Sequence, residues 1–177
     1  MDGKFVPNTT VGPADFGELP VNVKYEFHWM VANPEENILR APHHALHMVH
    51  IETVVDWMRV EDAVRRVEGE VGLVINPNTP IEKILPYLPR VNRVLVMSVM
   101  PGFDGQKYMS EVEEKIRKIR SLSPTIDIEV DGGINHETAP RAVAAGATKL
   151  AAASALFSKP DIKQAMEKLL SGVRGAR

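Results

Sequence analysis

The segment Ile126-Asp127-Ile128-Glu129-Val130-Asp131-Gly132-Gly133-Ile134-Asn135 passes from an apolar run into an acid, two glycines and a helix cap. Residues 126–130 have the composition of a buried β-strand. The glycines allow a tight turn after that strand. Asn135 is a preferred N-cap for the helix that follows, and Gly146 is a typical residue to end it. The segment therefore predicts a strand, a turn and a helix, which is the building unit of parallel α/β proteins.

The same order of strand and helix recurs on both sides of this segment. Apolar runs predict strands, and amphipathic or capped segments between them predict helices. The six predicted strands are residues 23–31, 46–51, 71–75, 94–99, 126–130 and 150–156. The run 94–99 is apolar on both faces, which is typical of a parallel sheet covered on both sides.

Local sequence also marks where helices begin and which face they bury. Two pairs have the spacing of a capping box: Thr79 with Glu82, and Ser110 with Glu113. Pro86 and Pro89 predict that the helix after Thr79 is short or kinked, because proline interrupts helical hydrogen bonding. The residues that the last helix is predicted to bury are Ile162, Ala165, Met166, Leu169 and Leu170.

A doubly wound sheet and a (β/α) barrel both fit this order, and the loops distinguish between them. No Gly-x-Gly-x-x-Gly motif follows a strand, so the main signal of a dinucleotide-binding sheet is missing. Polar or glycine-rich residues instead follow nearly every strand, where barrel enzymes build their sites. They are His28, Asn76, the loop 101–106, the turn 131–133 and Ser154. The pattern favours a TIM-type (β/α) barrel, although 177 residues is short for it.

Composition excludes several functional classes. The formal net charge is −2, which gives no general electrostatic case for nucleic-acid binding. Cysteine is absent, which excludes a disulfide scaffold, a thiolate zinc site and a cysteine nucleophile. No apolar run approaches the ~18 residues that span a bilayer, and the first residues have no apolar signal region. We expect a cytoplasmic protein that binds neither membrane nor nucleic acid.

Three residues at the strand ends indicate an anion site. Gly132 and Gly133 allow backbone N–H groups to approach a phosphate just before a helix N-terminus. Ser154 ends the next predicted strand, and barrels often hold phosphate after their last two strands. The alternative is a pair of ordinary turns. Asp131 itself is a candidate base, metal ligand or cap.

Histidines provide further candidates. His28 lies in an apolar strand, where a lone histidine is more often a core residue than a ligand. The histidines that are close together in sequence are His43, His44, His47 and His50. Because His47 and His50 are an odd number of residues apart in a strand, they point to opposite faces. We therefore expect no metal cluster there.

Several short motifs follow one another in a distinctive order. They are Met1-Asp2-Gly3-Lys4-Phe5-Val6-Pro7-Asn8, His28-Trp29-Met30-Val31, Asn33-Pro34-Glu35, Val49-His50-Ile51-Glu52, Asn76-Pro77 with Thr79-Pro80, Met97-Ser98-Val99 with Pro101-Gly102-Phe103, Gly105-Gln106-Lys107, Ile128-Glu129-Val130-Asp131-Gly132-Gly133-Ile134-Asn135 and Ser154-Ala155. The segments 97–107 and 129–135 are the most specific. In this order the motifs resemble the ribulose-phosphate 3-epimerase family, from Met1 to about residue 170.

The resemblance implies a (β/α)₈ barrel that interconverts D-ribulose 5-phosphate and D-xylulose 5-phosphate in the pentose phosphate pathway. In that family two aspartates lie on opposite faces of the substrate's C3, and a divalent metal, commonly zinc, stabilises the enediolate. By resemblance, Asp131 is a catalytic residue and, with His28, a metal ligand. The residues implied in the same way to bind substrate or phosphate are Met30, Met97, Gly102, Gly105, Gln106, Gly132, Gly133 and Ser154.

The chain departs from the family pattern at its N-terminus. It begins at the methionine of the Met1-Asp2-Gly3 motif, whereas the family carries a metal-binding histidine and its second catalytic aspartate on the strand before. Residues 1–177 are therefore expected to form a single barrel domain that lacks its first two strands. A misplaced start, a fragment and a naturally reduced protein are the possible explanations. An open edge would then be covered by the chain's own tail or by another copy in a homo-oligomer.

The missing ligands bear on function. With one aspartate and one metal histidine absent, we expect little or no epimerase activity from the chain as given. The alternative to an epimerase is a non-catalytic sugar-phosphate-binding relic of the family. A sister isomerase of hexulose phosphates on the same fold is a third possibility, which depends on fold analogy.

Overall fold

A computed structural model describes residues 1–12, 15, 17, 19–20, 22–103 and 105–174 of the chain. Its six β-strands are all parallel, and each pairs with the next strand in sequence. They are β1 (Glu26–Trp29), β2 (Leu46–His50), β3 (Glu70–Ile75), β4 (Arg93–Met97), β5 (Asp127–Asp131) and β6 (Lys149–Ala151). The strands form a half-barrel with helices against its outer face.

Helices connect the strands, and two more follow the last strand. They are α1 (Pro34–Ile38), α2 (Trp57–Arg66), α3 (Val112–Leu122), α4 (Thr138–Ala145), α5 (Ser154–Phe157) and α6 (Ile162–Arg174), with two 3₁₀ helices, Ile81–Lys83 and Leu85–Arg90, between β3 and β4. Asp56 caps α2 through a hydrogen bond from the N–H of Met58, at 3.0 Å. The φ of +118° at Gly146 ends α4 in the left-handed conformation, as predicted.

Alternate residues of the central strands face two separate apolar layers. On β4, Val94 and Val96 pack outward with the helices, and Leu95 and Met97 pack inward. The inner layer is completed by Val6, Met30, Met48, Val74 and Val99. Because both faces are buried, β3 and β4 read as continuous apolar runs, whereas β5 turns Glu129 and Asp131 to the inner face.

Charged side chains occupy the amino-terminal end of the inner face. The Arg93 guanidinium contacts the carboxylates of Glu26 and Glu129, and the second of these contacts measures 2.8 Å. Glu26 reaches Arg93 across the half-barrel from β1, and Glu129 lies on the neighbouring strand β5. The inner apolar layer lies between this charged end and the carboxyl-terminal ends of the strands.

Near the C-terminus, the predicted bounds of the sixth strand and part of the predicted buried face of the last helix were wrong. The sixth strand ends at Ala151, and Ser154–Phe157 is helical, with the N–H of Phe157 bonded to the Ala153 carbonyl. A short apolar run of small residues fits a helix as well as a strand. On α6 Leu169 is buried as predicted, but Ile162, Met166 and Leu170 are at least 39% exposed.

Neither predicted capping box forms. No side chain caps the 3₁₀ helix after Pro80, and the side chain of Thr79 bonds to Glu52 instead. Pro86 and Pro89 explain why this segment is 3₁₀ rather than α-helical, because each removes a backbone donor. α3 likewise begins without a side-chain cap, and Glu113 pairs with Arg141 at 2.9 Å.

In the described ranges, β1 and β6 each pair with one neighbour only. The absence of two preceding strands stays a prediction, as does the single domain over residues 1–177. Within the same ranges, no helix is both long and apolar enough to cross a membrane.

Candidate active site

Asp131 is the last residue of β5, and a buried serine holds the turn that follows it. The Ser98 hydroxyl donates to the carbonyl oxygens of Asp131 and Gly132, at 3.0 and 2.6 Å, and the Ser98 N–H donates to the Asp131 carbonyl at 2.8 Å. Ser98 lies just after β4 and is fully buried. The turn is therefore fixed from the neighbouring strand, and the Asp131 carboxylate remains one-third exposed toward the inner face.

Both glycines of this turn are required by geometry. Their φ angles are +117° at Gly132 and +62° at Gly133. A Cβ on Gly132 would lie 2.5 Å from Val99, and a Cβ on Gly133 would lie 2.7 Å from the backbone nitrogen of Tyr108. α4 follows and begins at Thr138, after Glu137. The Asn135 side chain accepts the N–H groups of Glu137 and Thr138, so the hydrogen bonds predicted for a cap at Asn135 form in the turn just before this helix.

His28 faces Asp131 from β1, across the inner face. Its Nδ1 lies 3.6 Å from Asp131 Oδ2, which is too long for a direct hydrogen bond. Two donors that each bind one ion at about 2.1 Å stand about 3 Å apart, so this spacing fits two neighbouring ligands of a metal. Within the described ranges, no group of three or more His, Asp or Glu side chains comes together as a metal site. His28 and Asp131 thus provide two protein donors.

A second histidine lies directly behind His28. The Nε2 atoms of His28 and His50 are 2.8 Å apart, and the two ring planes are within 18° of parallel. On its other side, His50 Nδ1 is 3.2 Å from Glu52 Oε2. Asp131, His28, His50 and Glu52 therefore form one row of polar side chains that runs from the cavity into the protein.

Burial sets the protonation states at the inner end of this row. His50 is fully buried, and this burial lowers its pKa to about 4, so its ring is neutral at pH 7. Burial alone would raise the pKa of Glu52. Hydrogen bonds from His50, from Thr79 and from the N–H of Asn76 outweigh burial and hold that pKa below its ordinary value, so Glu52 is ionised.

A loop covers the carboxyl-terminal ends of the strands next to Asp131. The Gln106 amide donates to the carbonyl oxygens of Met100 and Phe103, at 2.6 and 2.9 Å, and the Asn8 amide donates to the Gly102 carbonyl. Gly102 and Gly105 have positive φ angles of +120° and +76°. Asp104, which the sequence places in this loop, lies outside the described residues.

Nine of the ten predicted site residues line one cavity: Met30, Met97, Gly102, Gly105, Gln106, Asp131, Gly132, Gly133 and Ser154. The tenth, His28, lies next to this cavity through its contact with Asp131. Ser154 is the first residue of α5. Asp131 is the only carboxylate among the described residues that line the cavity. The structure thus brings the predicted set together, while the role of each residue stays a prediction.

Sequence reasoning gave no role to three polar residues that hydrogen bonds link to this set, namely Ser98, His50 and Glu52. The strand period contained the signal for His50. Met48 pairs in register with His28 and faces inward, so His50, two residues further along β2, faces inward too. His47 points outward, where the Trp29 indole N–H donates to its Nδ1 at 3.1 Å. The prediction that His47 and His50 face opposite ways is confirmed.

The sequence profile of the Ribulose-phosphate 3 epimerase family matches residues 1–157. Ribulose-phosphate 3-epimerase of Methanocaldococcus jannaschii is 40% identical over 179 residues, which cover 96% of this chain and 75% of that protein. The cytoplasmic isoform of ribulose-phosphate 3-epimerase from Oryza sativa subsp. japonica is 35% identical over 185 residues, which cover all of this chain and 81% of that protein.

The fold has relatives among solved structures. The crystal structure of KGPDC from Streptococcus mutans in complex with a sugar phosphate superimposes with a TM-score of 0.62 and 12% sequence identity, over 81% of this chain and 66% of that chain. This likeness concerns the fold alone. The family profile and the two sequence relatives go further, because they span the turn at Asp131, the loop over it and the strand that carries His28. The chain therefore belongs to the ribulose-phosphate 3-epimerase family.

Proposed function

We propose that this chain interconverts D-ribulose 5-phosphate and D-xylulose 5-phosphate by proton transfer at C3, with Asp131 as an acid–base group. The observation that carries the proposal is the position of Asp131. Its carboxylate is the only one among the described residues lining the cavity, and it lies beside the glycine turn and the methionines Met30 and Met97. Family membership supplies the reaction.

The reaction requires a base next to an acidic C–H bond. The C3 proton lies next to a carbonyl group, so its removal gives an enediolate that must be stabilised. The apolar side chains of Met30 and Met97, both at least nine-tenths buried, keep water away from the reacting carbon. Ser98 holds the backbone of Asp131, which keeps the carboxylate in position for proton transfer.

We propose zinc as the divalent metal of this site. His28 Nδ1 and Asp131 Oδ2 would hold it, and their 3.6 Å separation is compatible with a shared ion. When bound, zinc would act as a Lewis acid that stabilises negative charge on the substrate oxygens. The further ligands needed for a complete coordination shell would come from the substrate, from water or from residues outside this set.

The substrate phosphate is proposed to bind at the turn that ends β5 and at the start of α5. Gly132 and Gly133 line the cavity there and lack side chains that would keep a phosphate from their backbone N–H groups, and Ser154 contributes a hydroxyl. The loop with Gly102, Gly105 and Gln106 would cover the sugar. The structural relative from Streptococcus mutans, which was crystallised as a sugar-phosphate complex, is consistent with a ligand of this class for the fold.

The test is turnover of D-ribulose 5-phosphate with added zinc, for the chain and for Asp131→Asn. Loss of a general base costs about 10²- to 10⁴-fold in rate. Asp127→Asn is the matched control, because Asp127 is the first residue of the same strand and pairs with Lys149 at the opposite end. Turnover that Asp131→Asn abolishes and Asp127→Asn preserves supports the proposal. Turnover that survives Asp131→Asn would remove Asp131 from the mechanism.

A second candidate function is the sugar-phosphate-binding relic. It is favoured by the single carboxylate among the described lining residues, since inversion needs an acid and a base on opposite faces of C3. Proton NMR in D₂O separates the two functions. An epimerase forms xylulose 5-phosphate with deuterium at C3, one competent base gives exchange without inversion, and a relic binds the sugar phosphate with neither result.

Two further expectations remain proposals. A cytoplasmic location is supported by the name of the rice relative, which is the cytoplasmic isoform. A homo-oligomer is supported by the one-sided pairing of β1 and β6 in the described part of the chain. The mass of the protein in solution, measured by light scattering, tests the second.

A further inference from the structure

A cleft adjoins the cavity beside the turn at Gly133. It has a volume of about 480 Å³, which is within the range of small-molecule sites. Gly133 and Ser154 border both the cavity and the cleft. These are two of the residues at which the substrate phosphate is proposed to bind. A phosphate held there would therefore be open to side chains of the cleft as well as to those of the cavity.

The cleft is positively charged. Three cationic side chains line it, namely Lys107, Arg141 and Lys159, and none of its described lining residues carries a carboxylate. The whole chain has 21 Lys and Arg residues against 23 Asp and Glu residues, so this surplus of positive charge is a local feature. A concave surface lined by one sign of charge attracts ligands of the opposite sign. The cleft therefore favours an anion.

The three cations differ in whether a partner already neutralises them. The Arg141 guanidinium pairs with Glu113 at 2.9 Å and lies 5.8 Å from the centre of the Tyr108 ring. Lys107 and Lys159 are exposed, and neither forms an ion pair with another residue in the described part of the chain. Lys107 and Lys159 are therefore the cations of the cleft whose charge a ligand can use.

A sugar phosphate in the cavity needs such charge. A phosphate monoester carries about −1.5 to −2 charges at pH 7. The only charged side chain among the described residues that line the cavity is Asp131, and its carboxylate repels a phosphate. The turn at Gly132 and Gly133 and the Ser154 hydroxyl provide neutral donors only. Because an anion is costly to bury without a counter-charge, the cations of the cleft are the groups that can offset this cost.

The two lysines follow directly on residues that border the cavity. Lys107 comes after Gln106, which lines both the cavity and the cleft. Lys159 lies just after α5, which begins at Ser154, and its N–H donates to the Leu156 carbonyl at 3.1 Å. A lysine ammonium is carried on a flexible four-carbon stem, so it can move toward an anion near its backbone.

We propose that Lys107 and Lys159 bind the phosphate of the substrate from the cleft and make the site specific for phosphorylated rather than neutral sugars. The identity of the ligand as a sugar phosphate rests on the proposed function. The phosphate takes no part in proton transfer at C3, so this binding is equal in the ground state and the transition state. Loss of either lysine should therefore raise KM and leave kcat unchanged.

The experiment measures the dissociation constants of inorganic phosphate and of D-ribulose 5-phosphate by calorimetry at low ionic strength. Lys107→Gln and Lys159→Gln should each weaken both affinities by about 3- to 10-fold. Added NaCl should weaken binding to the unmodified chain more than to the double variant, because salt screens the lysine charges. Lys107→Arg and Lys159→Arg keep the charge and should bind within about 2-fold of the unmodified chain.

Lys163→Gln is the matched control. Lys163 is exposed on α6 and does not line the cleft, and its replacement changes the net charge by the same amount. It should leave both affinities unchanged. An equal loss in Lys163→Gln would reduce the effect to net charge and overturn the proposal. Unchanged affinities in both Lys107→Gln and Lys159→Gln would overturn it as well.

Competition between the two ligands identifies which anion the cleft holds. D-ribulose 5-phosphate should displace inorganic phosphate, because both are expected to use the same lysines. Simultaneous binding of the two would assign the cleft to a separate anion and overturn the proposal. Phosphate affinity that depends on both lysines supports the proposal even without turnover, and missing turnover would then count against the proposed function alone.

Discussion

The ammonium nitrogen of Lys115, on α3, lies 2.7 Å from the carbonyl oxygen of Asn76. It also donates to the carbonyls of Pro77 and Thr79, at 2.9 and 2.8 Å. Burial lowers the pKa of Lys115, and the nearby Glu52 carboxylate partly offsets this. The turn held in this way supplies the Asn76 N–H and the Thr79 side chain to Glu52. α3, on the outer face, thus holds the turn that hydrogen-bonds to Glu52, at the inner end of the row of polar side chains.

Lys115→Met is expected to lower the free energy of unfolding by about 2–4 kcal/mol, because it leaves three partly buried carbonyls without their charged donor. Urea unfolding at pH 7 measures the change. Lys118→Met is the control, since Lys118 is half-exposed on the same helix and should change stability by at most about 0.5 kcal/mol. Equal effects of the two substitutions would show that the turn does not depend on Lys115.

Gly133→Ala tests the close approach at the site. Its Cβ would lie 2.7 Å from the Tyr108 nitrogen and 3.0 Å from the Tyr108 Cα, at a φ of +62°. Because both atoms belong to the backbone, we expect a loss of about 2–4 kcal/mol in thermal or urea unfolding. Gly17→Ala is the control: its φ is +54°, and its Cβ would meet no atom within 4 Å among the described residues other than its chain neighbours, so it should lose only about 1 kcal/mol. A similar cost at both positions would argue against the steric explanation.

The sequence was sufficient to predict the strand order and most of the cavity lining. The buried runs on β3 and β4 are apolar on both faces, so their pattern is unambiguous. It was insufficient for the segment 152–157, where Ala153 and Ser154 fit a strand or a helix and backbone bonds decide. The capping boxes failed for a related reason. Thr79 and Glu113 each find a partner far away in sequence, in Glu52 and in Arg141.

Polar side chains that depend on tertiary contacts were harder to assign. The strand pattern placed His28 near a strand end, but only family resemblance paired it with Asp131, because strand patterns do not reveal what faces a histidine across a half-barrel. His50 and Glu52 were recognised as part of a motif but given no role. Their significance depends on a distance of 2.8 Å between two strands and on a turn held by Lys115, and neither can be read from local sequence.

Glu26 should make stability fall as pH rises. Burial and the charge of Glu129 raise its pKa from 4.5 to about 7, and Arg93 opposes this. Between about pH 4.5 and pH 7, Glu26 is therefore protonated in the folded protein and ionised in the unfolded chain. The stabilisation is fully present below about pH 4.5 and is lost as pH rises through about 7.

Glu26→Gln removes that loss, so it should raise the free energy of unfolding by about 1–3 kcal/mol at pH 8 and leave it nearly unchanged at pH 4.5. Urea unfolding at both pH values gives the comparison. Glu70→Gln, at the start of β3 and exposed, should have little effect at either pH. A Glu26→Gln protein that is less stable than the parent at pH 8 would contradict the prediction. It would show that the ion pair with Arg93 outweighs the cost of burying the Glu26 charge.

His47 should have the opposite effect from Glu26, because it should make the free energy of unfolding fall as pH is lowered. Its burial on the outer face lowers its pKa to about 4, and the Trp29 indole N–H donates to its Nδ1 at 3.1 Å, which requires an unprotonated nitrogen there. Its Nε2 has no hydrogen-bond partner among the residues that the structure describes. The rings of Phe27 and Trp29 stack against it and offer no charge to stabilise an imidazolium.

Because the unfolded chain protonates this histidine near pH 6.5 and the folded protein only near pH 4, stability should fall as pH is lowered through that window. His47→Asn keeps an oxygen that can accept the Trp29 N–H but does not titrate. Its free energy of unfolding should depend less on pH between about 6.5 and 4, by up to about 1.4 kcal/mol per pH unit. His43→Asn, at a position near the surface, should keep the parent's slope, and the buried His50 is unchanged in both variants and contributes equally to each. An identical slope in His47→Asn and the parent would mean that His47 becomes protonated without unfolding, and that its buried site admits charge.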